Sequence, residues 1–293
     1  MRLFAKKSLG QHFLNSKHVL DQIITAGNIV AGQNILEIGP GTGVLTTELL
    51  KAGACVTAVE KDDRAIILLK EKFAGEIASG HLKLIHGDVL DENLFSTNPN
   101  LPTSKSVLPS SFSSPTSPYS LIANIPYYIT GAILEKFLEH EPRPQKMVLL
   151  VQKEVAERIV ARPEQSTGKS KESILSVSVK VFGTPKIIAK VPPGAFTPPP
   201  TVDSAILSIE NISAHGFETI LKDDPEGISR FFQIVRAGFA HKRKILKRNL
   251  EATLDKTIID AAWHSLGLDE KVRAEDISPQ QWLRITEATK HIK

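Results

Sequence analysis

The segment that most constrains the fold runs from Ile35 to Lys51, where a short apolar strand leads into a glycine-rich turn and then an amphipathic helix. Glycines in such a turn let the backbone approach a ligand closely. A dinucleotide fingerprint would need a third glycine at position 44, which is valine, so a nicotinamide cofactor is disfavoured. The pattern is instead E-x-G-x-G-x-G, and its candidate cofactor-binding residues are Gly39, Gly41 and Gly43.

Three further apolar strands are each predicted to end close to a polar side chain. Cys55–Val59 leads to Glu60, Leu82–His86 to Asp88, and Tyr119–Ala123 to Asn124. Open α/β sheets bind ligands at the carboxyl ends of their strands, where an acid in the position of Glu60 can bind both ribose hydroxyls. Asp88 is suited to an adenine amino group, although aspartate after glycine also commonly caps a turn. This order of residues matches an S-adenosylmethionine site.

The tetrapeptide Asn124-Ile-Pro-Tyr127 is predicted to handle a nucleobase where its strand leaves the sheet. The Asn124 oxygen and a backbone carbonyl of Ile125 or Pro126 can accept the two hydrogens of an adenine amino group. Pro126 stiffens the turn, and Tyr127 offers a flat face for a base removed from its stack. Asn-x-Pro by itself is more often only a turn, so this interpretation depends on the rest of the chain.

Strands and helices alternate through about residue 160 and are followed by two predicted strands, Leu175–Val181 and Ala205–Ile209. This alternation predicts an α/β fold with a doubly wound, mostly parallel sheet and an antiparallel edge. Beyond Asn211 the pattern turns helical near 228–238, 242–250, 257–265 and 279–289. We therefore expect a catalytic domain over 1–210 and a small helical domain over 211–293.

Composition limits the classes of function. No stretch approaches the roughly 20 apolar residues of a membrane helix, and the first motif begins within ten residues of Met1. A cytoplasmic protein without a membrane partner is therefore expected. We also expect a monomer. The lone Cys55 excludes an intramolecular disulfide and a cysteine-based zinc site, and no metal is expected.

Positive charge is concentrated near the carboxyl terminus. The net charge is +4, yet residues 227–293 hold 13 Lys and Arg against 8 Asp and Glu. Such a run is usually a solvated helix face, but phosphate binding is an equally good interpretation here. The candidate RNA-binding residues are Arg236, Lys242, Arg243, Lys244, Lys247 and Arg248.

The chain resembles the ribosomal RNA adenine dimethyltransferases, most closely the bacterial small-subunit (16S) type. The resemblance covers nearly the whole chain and is carried by ordered segments at 7–15, 37–43, 59–60, 87–88, 124–127, 151–158, 191–204 and 239–246. It implies a Rossmann-like class I methyltransferase fold with S-adenosyl-L-methionine as cofactor. It also implies dimethylation of two adjacent adenosines in the 3′-terminal hairpin of small-subunit rRNA, within the 30S subunit or its precursor.

The resemblance also implies roles for individual residues. The segment matching Gln11–Asn15 closes over the cofactor, so His12 and Leu14 are carried over as cofactor contacts, and Asn124 as a contact to both ligands. Phe196 would clamp the flipped adenine opposite Tyr127. On chemistry alone, Phe196 is more simply a core aromatic and His12 a surface or core histidine.

Other functions stay open from the residues. They are methylation of large-subunit rRNA, as in the related antibiotic-resistance enzymes, methylation of DNA adenine, and a non-catalytic RNA-binding assembly factor.

Two segments depart from the family pattern. Residues 97–118 are rich in Ser and Pro and read as a mobile excursion, and residues 163–172 read as a polar loop.

Overall fold

The computed structural model describes residues 3–6, 9–91, 94, 118–161, 171–218 and 226–289. Nearly all of the Ser/Pro-rich segment at 97–118 and most of the polar segment at 163–172 lie outside these residues. The chain divides into two compact units, the first comprising 1–156 and 186–212 and the second 157–185 and 213–293. Relative to the expected boundary near 210, the structure groups 157–185 with the carboxyl-terminal unit.

The first unit is built on a seven-stranded sheet with strand order β4-β3-β2-β5-β6-β9-β7. Its strands are β2 Asn34–Ile38, β3 Cys55–Glu60, β4 Leu82–His86, β5 Tyr119–Asn124, β6 Lys146–Gln152, β7 Thr184–Val191 and β9 Ser204–Glu210. The neighbouring pairs β4-β3, β3-β2, β2-β5 and β5-β6 are parallel. Strand β9 pairs antiparallel with β6. The predicted α/β class, with a mostly parallel sheet and an antiparallel edge, is confirmed.

The central strands are almost continuously apolar because helices cover both faces of a doubly wound sheet. The helices of this part of the chain are α1 Lys17–Gly27, α2 Val44–Lys51, α3 Asp63–Lys72, α4 Ala74–Ala78, α5 Thr130–Glu139 and α6 Lys153–Val160. Their starts follow local chemistry: the Ser16 side chain accepts from the Val19 amide to cap α1, and Asp62 caps α3 in the same way. The strand order reverses between β2 and β5, which places a ligand crevice at that switch point.

A second, two-stranded sheet joins the start of the chain to its proline-rich segment. Strand β1, Phe13–Leu14, pairs antiparallel with β8, Phe196–Thr197. The Asn15 amide also donates to the Ala195 carbonyl at 2.9 Å. These bonds fix the opening segment against residues that lie 180 or more positions later in the sequence.

The predicted strand Leu175–Val181 is wrong, because the chain forms helix α7, Ile174–Lys180, there. The alternating Ser and Val residues suit a strand, but Ser173 and Ser176 form a reciprocal capping box that starts a helix. The real neighbouring strand is β7, which alternates exposed and half-buried residues and was not predicted.

The remaining helices of the second unit are α8 Gly227–Gly238, α9 Leu246–Leu250, α10 Lys256–Leu266 and α11 Pro279–Ala288. Aromatic rings pack within this unit, for example Phe231 edge-on to Phe217 with ring centroids 5.1 Å apart. The helix expected over 242–250 is shorter than predicted, since 241–244 form an exposed turn before α9. Among the described residues, no helix is both long and apolar enough to cross a membrane.

Candidate active site

A cleft opens at the carboxyl ends of β2, β3, β4 and β5 in the first unit. Its walls include the apolar side chains of Ile38, Val59 and Val89. It also contains six of the polar or glycine positions singled out from the sequence, namely His12, Gly39, Gly41, Glu60, Asp88 and Asn124. The cleft thus lies at the crevice that the reversal of strand order predicts.

Glu60 holds the glycine loop at one side of the cleft. Its Oε2 accepts from the Gly41 amide at 3.0 Å, and its Oε1 accepts from the amides of Lys61 and Asp62, both at 2.8 Å. Burial raises the pKa of Glu60, while these three amide bonds favour the charged form. Because a carboxylate has about four acceptor positions, roughly one remains for a ligand hydroxyl.

Gly39 and Gly41 form the floor of the cleft with backbone φ of +66° and +55°. This left-handed conformation is costly for residues with a Cβ, and a Cβ at Gly41 would also approach the Phe13 ring to 3.0 Å. Gly43 differs, because it does not line the cleft and a Cβ there would overlap Phe73 at 2.6 Å. We infer that Gly43 permits packing of α2 against α3, and the cofactor contact expected from the sequence stays a prediction.

Asp88 lies at the far side of the cleft, just beyond β4. Its Oδ2 accepts from Lys61 Nζ at 2.8 Å, and its Oδ1 accepts from the Leu90 amide at 3.0 Å. Burial opposes ionisation of Asp88, but these bonds outweigh it and hold the pKa below its ordinary value. Asp88 therefore caps a turn, as one interpretation of the sequence held, while its carboxylate still faces the cleft.

Asn124 ends β5 at the junction of the cleft and the opening segment. Its Nδ2 donates to the His12 carbonyl at 3.1 Å, which orients the carboxamide and leaves Oδ1 as an acceptor. In the turn that follows, the Pro126 carbonyl accepts from the Ile129 amide at 3.2 Å. The Ile125 carbonyl is therefore the better candidate for the second acceptor.

Tyr127 lies between the cleft and an adjoining open cavity lined by Gly10, His12, Tyr127, Tyr128 and Gln152. Its hydroxyl shares a 2.6 Å hydrogen bond with Ser204 Oγ, and burial raises its pKa. The His12 ring stacks on Tyr127 with centroids 5.8 Å apart, and His12 Nδ1 lies 2.9 Å from the Pro198 carbonyl oxygen. An aromatic face of base-binding type is therefore fixed beside the cofactor cleft.

The side chains of Phe196 and Leu14 pack in the hydrophobic core of the first unit. Both are only 3% exposed, pair with each other between β1 and β8, and belong to the hydrophobic core. The expected clamp between Tyr127 and Phe196 stays a prediction, and the ring that stacks on Tyr127 here is that of His12. Leu14 lines a small adjoining pocket together with Gly39, Gly41 and Asn124, and its expected cofactor contact stays a prediction.

Four further residues at the site were given no role of their own from the sequence: Gln11, Lys61, Tyr128 and Gln152. Gln11 and Gln152 lie in segments that resemble family motifs, and this was the signal that could have found them. Tyr128 is 65% exposed although it is a large aromatic residue, and it lines both the cleft and the cavity.

The basic residues of the second unit fall into two groups. Lys242, Arg243 and Lys244 lie on the exposed turn, and no ion pair of their side chains is recorded in the described part of the chain. Lys247 is instead half-buried, with a side chain 16% exposed, and forms ion pairs with Asp260 at 2.7 Å and Glu270 at 2.9 Å. We therefore infer a structural role for Lys247, and its expected phosphate contact stays an untested prediction.

The other two basic candidates also have neighbours. Arg248 is exposed and pairs with Glu251 at 3.3 Å. The Arg236 guanidinium lies over the Phe232 ring at 5.6 Å. An exposed ion pair contributes little stability, so Arg248 can exchange Glu251 for a phosphate at small cost.

A buried carboxyl group beneath the glycine loop makes the stability depend on pH. Glu37 in β2 accepts from Thr46 Oγ1 at 2.7 Å, and burial raises its pKa from 4.5 to about 8. Between these two values the folded protein holds a proton that the unfolded chain has lost. The stability that neutral Glu37 contributes is therefore complete below pH 4.5 and is lost as the pH rises to about 8.

Replacing Glu37 with glutamine keeps the shape of the side chain and removes this titration. We expect the melting temperature of the variant, relative to the wild type, to increase from about pH 5 to about pH 8 and then to level off. Thermal melts of both ligand-free proteins across this range measure the difference. A difference that does not vary with pH would contradict a protonated Glu37.

The residues of the cleft fit S-adenosylmethionine. The glycine backbone leaves room for a closely bound ligand, and the carboxylates of Glu60 and Asp88 suit a ribose hydroxyl and an adenine amino group. The same carboxylates give the cleft a negative charge that favours a sulfonium cation. Together with the doubly wound sheet, this site defines a class I S-adenosylmethionine-dependent methyltransferase.

The chain belongs to the ribosomal RNA adenine dimethylase family, whose sequence model matches residues 3–291. A relative from Dehalococcoides mccartyi, named ribosomal RNA small subunit methyltransferase A, is 41% identical over 97% of this chain and 88% of its own length. One from Nostoc sp. with the same name is 37% identical over 96% of both chains. A crystal structure of a dimethyladenosine transferase from Plasmodium falciparum is 26% identical, covers 94% of this chain and 96% of that chain, and has a TM-score of 0.71.

Proposed function

We propose that this enzyme dimethylates the N6 amino groups of two adjacent adenosines in the 3′-terminal hairpin of small-subunit (16S) rRNA. The observation that carries the proposal is the turn Asn124-Ile-Pro-Tyr127. It sets a carboxamide acceptor and an aromatic face between the cofactor cleft and an open cavity. The names of the small-subunit relatives support the choice of rRNA.

The amino nitrogen of adenine is a weak nucleophile because its lone pair is delocalised into the ring. Oδ1 of Asn124 accepts one amino hydrogen and the Ile125 carbonyl accepts the other, which aims the nitrogen into the cleft. S-adenosylmethionine, when bound, supplies a methyl group activated by its sulfonium sulfur. In-line attack then needs a separation of about 3 Å and alignment, and no general base acts first because the proton leaves a cationic product.

The base is held by the Tyr127 ring, whose position the bond to Ser204 fixes. Stacking on such a ring contributes about 1 to 3 kcal/mol per base. The His12 ring covers one face of Tyr127, so entry of an adenine requires His12 to move or the base to use the other face. The cavity beside Tyr127, which Gly10 and Gln152 also line, is open to solvent, and this suits readmission of a monomethylated base.

We assign RNA docking to the exposed basic residues Lys242, Arg243 and Lys244, assisted by Arg236 and Arg248. Three neighbouring cations on a turn form a local positive field that attracts phosphate. The partner in this proposal is the 30S subunit or its precursor in the cytoplasm, and the enzyme acts as a monomer.

Labelled methyl transfer tests the proposal. The protein is incubated with tritiated S-adenosylmethionine and small subunits from a strain that lacks its own enzyme, with large subunits in a parallel reaction. We expect label on two adjacent adenosines near the 3′ end of the small-subunit rRNA, with two methyl groups on each. Label confined to large-subunit rRNA, or none in either, would contradict the assignment.

A further inference from the structure

Gln11 lies in the opening segment that borders the cofactor cleft, between Leu9-Gly10 and His12-Phe13, which also line it. Both ends of its carboxamide are engaged. Its Oε1 accepts from the Lys6 amide at 2.8 Å, and its Nε2 donates to Asp62 Oδ2 at 3.0 Å. The second bond spans 51 residues and connects the segment to the strand end that carries Glu60.

The acceptor, Asp62, is held by several hydrogen bonds at the start of α3. Its side chain is fully buried, and it receives Arg64 Nη2 at 2.6 Å and Arg64 Nε at 3.0 Å. The bonds from Arg64, with a smaller contribution from Gln11, hold the pKa of Asp62 far below its ordinary range. Lys6 Nζ adds a longer contact at 3.9 Å.

The hydrogen bonds continue from this anchor to the floor of the cleft. The Asp62 amide donates to Glu60 Oε1, and Glu60 Oε2 accepts from the Gly41 amide. One unbroken path therefore joins the opening segment to the acid that faces the ribose and to the glycine loop. No other side chain of the described segment 9–14 has a recorded hydrogen bond to the Glu60–Asp62 strand end.

We propose that Gln11 is a positioning residue that fastens the opening segment over the cofactor cleft through Asp62. It acts by holding the backbone of the opening segment at the edge of the cleft, beside the His12 carbonyl that accepts from Asn124. The inference rests on the cofactor occupying this cleft and is independent of which RNA is methylated. Loss of the Gln11 side chain should weaken cofactor binding and leave the affinity for RNA unchanged.

Two substitutions separate this role from a packing role. Gln11→Leu keeps the approximate size of the side chain and removes both bonds. Gln11→Glu places a carboxylate against Asp62 at pH 8. Because the adjacent Asp62 anion favours the protonated form of the introduced carboxyl group, more of it is protonated at pH 5, where it can again donate to Asp62 and accept from Lys6. The charged groups that face this position are Lys6 from the opening segment and Asp62 and Arg64 from the start of α3.

The measurement is the calorimetric Kd for S-adenosylhomocysteine between pH 5 and pH 8, without RNA. Since a hydrogen bond to a charged group typically stabilises by about 1.5 to 3 kcal/mol, we expect Gln11→Leu to raise Kd about 10-fold or more at every pH. The Gln11→Glu variant should bind S-adenosylhomocysteine at least as weakly as Gln11→Leu at pH 8. At pH 5 its Kd should approach that of the wild type. Amide hydrogen exchange at Leu14 and Asn15 should accelerate in the leucine variant without ligand.

Gln33 provides a matched control. It likewise accepts from a backbone amide, that of Val30 at 3.1 Å, and donates to a side chain, Ser120 Oγ at 3.0 Å, but it lies outside the cleft. Gln33→Leu should leave Kd unchanged at every pH. A Gln11→Leu variant within twofold of the wild type would overturn the proposal, and so would a Gln11→Glu variant whose Kd relative to the wild type is the same at pH 5 and pH 8. Neither outcome would alter the labelling result on which the proposed RNA substrate depends.

Discussion

Replacing Asn124 with alanine is expected to slow methyl transfer by about 30-fold to 1000-fold, equivalent to about 2 to 4 kcal/mol in the barrier. The variant loses the Oδ1 acceptor that orients the amino nitrogen during attack. It also loses the 3.1 Å bond from Nδ2 to the His12 carbonyl, so cofactor affinity should fall by a few-fold at most. Single-turnover assays with saturating cofactor and RNA isolate the chemical step.

Binding measurements control for indirect damage. Calorimetry with S-adenosylhomocysteine and a subunit-binding assay should give values within a few-fold of the wild type, because Asn124 sits on a strand whose other residues stay buried. Turnover above one third of the wild-type rate would show that Asn124 is not the amino acceptor.

Neutralising Lys242, Arg243 and Lys244 together with glutamine should flatten the dependence of subunit affinity on salt. Each phosphate contact releases condensed counterions, so the slope of log affinity against log salt should change by about 2 to 3 when three contacts are lost. Affinity at low salt should fall accordingly, while cofactor affinity stays constant because the cleft belongs to the other unit. Filter binding of small subunits across a salt series measures the slope.

Lys247→Gln is the control that the structure adds to this experiment. It removes one cation from the same run but breaks the ion pairs with Asp260 and Glu270. We expect a lower melting temperature and an unchanged salt slope. If the triple variant kept the wild-type slope, the turn would be a solvated surface and the RNA would have to approach elsewhere.

Much of the cofactor site could be predicted from the sequence because parallel strands bring their carboxyl ends to one edge. Glu60, Asp88 and Asn124 each follow an apolar run, so their common location required only the fold class, which is confirmed. The strand prediction for Leu175–Val181 failed because a short alternation of Ser and Val is compatible with either a strand or a helix. The capping interaction of Ser173 stabilises the helix.

The amino-acid sequence was enough to predict the order of strands and helices up to about residue 160, the glycine loop and the polar residues at strand ends, because all of these depend on local pattern. Only the three-dimensional contacts show that Gln11 meets Asp62, that Phe196 is buried against Leu14, and that Lys247 is paired with acids. These contacts join residues far apart in the chain, and spacing along the sequence carries no information about which side chains meet. Residue type sets what a side chain can do, but its partners and burial determine whether it stabilises the fold or remains available to a ligand.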